Sequence, residues 1–125
     1  MLWPQNRAQA LMQQADAALA RGHLSASDGT GARQLYEAAQ AIDPDFSEPS
    51  SGLAKVAQAA LRQADSDAAG NRFEQARQHL QLAQQLQVPR AQADVVAERL
   101  RSREAAHAGI DALVAQAEQA RLDGR

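Results

Sequence analysis

The feature that most restricts what this chain can fold into is an internal echo. Ala32-Arg33-Gln34-Leu35-Tyr36-Glu37-Ala38-Ala39-Gln40 lies 44 residues before Ala76-Arg77-Gln78-His79-Leu80-Gln81-Leu82-Ala83-Gln84, with small residues set on small ones and Tyr36 on Leu80. The same offset sets Leu53-Ala54-Lys55-Val56 on Ala97-Glu98-Arg99-Leu100, so the unit continues past a proline in each copy. A period of this size marks stacked supersecondary units, none of which buries its apolar face alone.

The units are helical. Ala, Gln, Leu and Arg dominate the chain, all good helix formers, and β-branched residues are few. Leu11, Ala15, Ala18 and Leu19 recur at helical spacing from Arg7 to Arg21, where Gly22 stops them. The stretch His23 to Gly31 is rich in turn formers and reads as a loop. A second helix is expected over Ala32–Ile42, with Leu35, Ala38, Ala39 and Ile42 on one face. Asp43-Pro44 ends it, since proline disfavours helical geometry in the residue before it.

Ser50 or Ser51 is the expected cap of a third helix through Leu53, Val56, Ala57, Ala60, Leu61 and Ala64 to Ala69, broken by Gly70-Asn71. A fourth helix from Arg72 carries Phe73, Ala76, Leu80, Ala83 and Leu86 before Val88-Pro89. A long fifth helix follows from Ala91 to Leu122 with Val95, Val96, Leu100, Ile110, Leu113, Val114 and Ala117, and a kink is expected at His107-Ala108-Gly109. The expected organisation is one all-α domain over 1–125. It holds a first helix pair (5–44), a second (50–89), and a long final helix (90–125) of an incomplete third pair, as in a piece cut from a longer protein.

Ala32, Tyr36, Ala39 and Pro44 follow the small, aromatic, small, proline spacing of the second helix of a tetratricopeptide repeat, and Ala76, Leu80, Ala83 and Val88 echo it. Arg21-Gly22, Gly70-Asn71-Arg72-Phe73 and Asp123-Gly124 resemble that family's turn between paired helices. The chain departs from the family in its stretched first turn and in units longer than about 34 residues. The resemblance implies antiparallel helix pairs stacked as a short solenoid of about five helices, and a role in holding proteins. Similar degenerate repeats occur as accessory segments of larger bacterial proteins, often envelope-associated.

Chemistry is sparse. A net charge of −2 offers no electrostatic footprint for nucleic acid, and Arg99, Arg101 and Arg103 are interleaved with Glu98 and Glu104 on different helical faces. With no cysteine there is no thiolate catalysis and no thiolate metal site, while cytoplasm and periplasm both stay open as compartments. No apolar run reaches the roughly 18 residues of a membrane span, so no direct insertion is expected.

His23, His79 and His107 are the only imidazoles, and none is expected to have a second His or a carboxylate partner at the i, i+3 or i+4 spacing of a helical metal site. His79 reads as a half-buried packing residue on the fourth helix. Ser25, Ser27 and Asp28 share a loop with His23 and read as loop residues, because a nucleophile needs a rigidly held base. Gly29-Thr30-Gly31 lacks the lysine and the preceding strand of a phosphate loop. Asp16, Asp65, Asp67 and Asp94 read as solvating charges on separate helices.

The expected function is therefore a non-enzymatic interaction module, needing no cofactor or metal. It would hold another protein, or another segment of its parent chain, against the first helices of each pair. Candidate contacts are Gln13, Asp16, Gln58, Arg62 and Asp65, with Trp3 either stapling the first helix or meeting a partner. The alternative is a spacer that forms a homodimer through its long last helix.

Overall fold

The computed structural model describes residues 4–124, and every regular element in that range is a helix. There are five: α1 (Pro4–Ala20), α2 (Ala32–Ile42), α3 (Glu48–Ala69), α4 (Phe73–Gln85) and α5 (Arg90–Asp123). Each helix packs against the next along the chain, and α3 also touches α1 and α5.

The core is made largely of alanine. Ala8, Ala15 and Ala18 of α1, Ala57, Ala60 and Ala64 of α3, and Ala76 and Ala83 of α4 are buried, and the largest side chains enclosed completely are Tyr36, Val56 and Pro49. An alanine removes little apolar area from water, but it lets helix axes approach, so many small burials replace a few large ones. Tyr36 is the exception that needs room, and Gly52 of α3 supplies it: a Cβ there would run into the Tyr36 ring.

The 44-residue echo reappears as a burial pattern. Ala32, Tyr36 and Ala39 on α2 are buried, as are their counterparts Ala76, Leu80 and Ala83 on α4. Pro49, Gly52 and Val56 on α3 likewise match Ala93, Val96 and Leu100 on α5. The core face of α2 is accordingly centred on Tyr36 rather than on the Leu35-Ala38-Ile42 stripe.

Three of the four connections begin with the same device. At Gly22, Asn71 and Gln87 the backbone turns left-handed, with φ of 75°, 61° and 62°. The amides that follow reach back to the last turn: His23 N to Ala18 O at 2.9 Å, Arg72 N to Asp67 O at 2.8 Å and Val88 N to Ala83 O at 3.1 Å. These are Schellman closures, which satisfy carbonyls that a helix end leaves without partners.

One boundary differs from expectation. Neither Ser50 nor Ser51 caps α3, which already starts at Glu48 with Pro49 in its first turn, where proline's preset φ suits a helix start and its missing N–H costs nothing. At His107-Ala108-Gly109, where a kink is expected, the helix is not interrupted, and α5 runs as one helix of 34 residues. The alanines around Gly109 carry the helix through, and nothing crowds the glycine from outside.

Candidate functional site

The residues expected to meet a partner lie on two helices, Gln13 and Asp16 on α1 and Gln58, Arg62 and Asp65 on α3. Gln13 is exposed on α1, whereas Asp16 on the same helix accepts a 2.5 Å hydrogen bond from the Tyr36 hydroxyl and so helps join α1 to α2. Burial first, and then the bond to Asp16, push the Tyr36 phenol well above its ordinary range. Gln58 donates to Gln92 at 2.9 Å and Asp65 accepts from Arg99 at 2.8 Å, two links between α3 and α5. Arg62 is exposed and lines a shallow depression with Ser51, Ala54, Lys55 and Gln58. Trp3 lies outside the described residues.

The second half of α5 is the prominent surface. Its stem packs through Ala93, Val96 and Leu100, and Phe73 of α4 meets the His107 ring at 5.5 Å between centroids. Beyond His107 every residue of the helix through Asp123 is exposed. Ile110, Leu113 and Val114 are 58%, 66% and 57% exposed, and with Ala117 they form one stripe at i, i+3, i+4 and i+7. This extension of about 24 Å can persist because it propagates from a packed stem, which has already met the cost of helix nucleation. Glu118–Arg121 at 2.7 Å and Gln119–Asp123 at 2.9 Å add local support.

A polar cluster unseen in the sequence lies at the α3–α4 junction. Asp67 is only 2% exposed and is not a solvating charge. Its Oδ1 accepts from Gln63 at 2.9 Å and from Arg72 Nε at 3.1 Å, and its Oδ2 lies 2.7 Å from His79 Nδ1. Burial pushes the Asp67 carboxyl up, but the donors Gln63, His79 and Arg72 together outweigh it and hold the group below its ordinary value. An ionised carboxylate only accepts, so His79 carries its proton on Nδ1 and its Nε2 is left for other partners. Asp67 sits twelve residues from His79 in sequence, a separation that no local pattern flags.

His79 also forms part of the wall of a cleft of about 330 Å³ between the α1–α2 connection and α4. His23, Ser25, Arg33 and Gln78 line it as well. The loop that frames it is tied down: Ala32 N and Arg33 N donate to the carbonyls of His23 and Leu24 at 2.9 Å, and Gln34 donates to Ser25 Oγ at 2.8 Å.

Contrary to expectation, the third histidine does have a carboxylate at i+4: His107 Nε2 lies 3.4 Å from Asp111 Oδ2, one helical turn on. Among the described residues no group of three or more His, Cys, Asp and Glu is arranged to hold a metal ion, and no helix is long and apolar enough to cross a membrane. The chain matches no protein-family model, no curated protein and no solved structure.

Proposed function

We propose that this chain is a non-catalytic helical scaffold module, and that the exposed stripe of α5 is where it engages another protein. The observation that carries this reading is the unpartnered row Ile110, Leu113, Val114 and Ala117 on a helix anchored by its other half. An amphipathic helix from a partner would cover such a row as helices do in grooves and coiled coils, through side chains at matching i, i+3, i+4 and i+7 positions. The tetratricopeptide-like spacing of α2 and α4 supports the same reading, as does the dependence of each unit on its neighbour.

Replacing Ile110, Leu113 and Val114 together by Gln tests it. Helix content and thermal stability should be retained, because these side chains make no core contacts, while capture of a cross-linked partner by the unaltered chain should be lost in the variant. Equal capture by both proteins would sink the assignment of this face.

A second reading, self-association, has its own observation. Arg101 and Arg103 lie at the near end of the extension, whereas Asp111, Glu118 and Asp123 lie further out, so an antiparallel pair of tails opposes unlike charges. Light scattering separates the readings. A mass that doubles with concentration and reverts in the triple variant selects the homodimer, and a constant monomer mass selects a different partner.

A further inference from the structure

We propose that the cleft between the α1–α2 connection and α4 binds a small oxyanion, the phosphate or carboxylate group of a soluble ligand. Its wall holds three basic side chains, His23, Arg33 and His79, together with Ser25 and glutamines, and no carboxylate lines it. That composition is unlike the rest of a chain whose net charge is −2. Every polar side chain on this wall can donate a hydrogen bond, which suits an acceptor-only ligand.

Each basic group is oriented by a neighbouring partner and keeps a free position, which on the two histidines donates to an anion in the doubly protonated imidazolium form. His79 is held through Nδ1 by buried Asp67, which leaves Nε2. His23 Nε2 lies 3.0 Å from Thr30 Oγ1, and that hydroxyl gives its own hydrogen to Asp28 Oδ1 at 2.6 Å, so His23 must donate there and keeps Nδ1. Arg33 donates through one terminal nitrogen to Gln85 at 2.7 Å and through Nε towards Glu37 at 3.3 Å, leaving its other terminal nitrogen. The nearby carboxylates are thus already engaged, Asp28 by Thr30, Glu37 by Arg33 and Asp67 by His79. Side chains fixed in advance lose little freedom when a ligand arrives, which favours binding by so small a group. Two imidazole lone pairs without a third ligand do not make a metal site, in keeping with the absence of any three-residue ligand group among the described residues.

The three histidines make the test internal, since two line the cleft and His107 lies on α5. Imidazole nitrogen resonances of labelled protein are followed near pH 6 during separate titrations with inorganic phosphate and with acetate, ionic strength being held constant with chloride. His23 and His79 should shift saturably at millimolar anion while His107 stays in place, and the anion that saturates first identifies the preferred group. Arg33→Gln should weaken binding roughly tenfold or more, the loss of one charge-assisted donor. Gln78→Glu, on an exposed position, should abolish it by placing a carboxylate in the wall. Absence of saturable shifts at His23 and His79 with both anions, equal movement of all three imidazoles, or undiminished binding in both variants would overturn the proposal.

Discussion

Asp67 is the one charged side chain buried among the described residues, and a buried carboxylate is tolerated only when its oxygens are occupied. Removing it in Asp67→Ala leaves Gln63, Arg72 and His79 without their acceptor, and the expected loss is about 2–3 kcal/mol in a urea melt. Its folded-state carboxyl is held below the ordinary value. The stabilisation is therefore complete above the unfolded value of about 4 and disappears as pH falls through the lower folded value. Melting temperatures taken on the acid side should drop less steeply with pH in Asp67→Asn than in the unaltered chain. Helical spacing sets Asp67, three and seven residues after Ala64 and Ala60, on the buried stripe of α3, whereas Asp65 falls beside that stripe and forms a surface pair with Arg99. What lets a carboxylate stay on the buried face is the Schellman closure after α3, which brings Arg72 back over the last turn, and the docking of α4 with His79.

The helices follow from local rules, and so do most of their ends. Ala32–Ile42 has the bounds expected from its spacing and from Pro44, and α4 and α5 begin and end within a residue or so of expectation. Where local rules compete, they mislead: a capping serine at the start of α3 was outweighed by Pro49. Of the three left-handed turn positions, Gln87 is the one where neither Gly nor Asn is present. A side chain there strains the backbone, so Gln87→Gly should raise stability by roughly 1 kcal/mol, read as a higher denaturant midpoint with unchanged slope. The conformation persists in Gln87 because the Val88 amide bond to Ala83 and the burial of Val88 require it.

At the level of the molecule, α5 divides into a packed stem and an exposed extension, and the two should differ in local stability. Amide hydrogen exchange should be slow around Val96 and Leu100 and faster by orders of magnitude beyond Gly109, since opening the extension exposes no core. Comparable protection along the whole helix at low protein concentration would contradict this division. The order of residues was enough to specify five helices, their turns and the pairing of Ala32-Tyr36-Ala39 with Ala76-Leu80-Ala83, because helical periodicity, proline and the left-handed turn act within a few residues. It could not specify which apolar stripe would be covered, for Val96 and Ile110 read alike on one helix until α3 and α4 are seen to end beside the first. Nor could it assemble Asp67 with His79, or His23 with Arg33 and His79, since those meetings depend on how helices distant in sequence come to lie side by side.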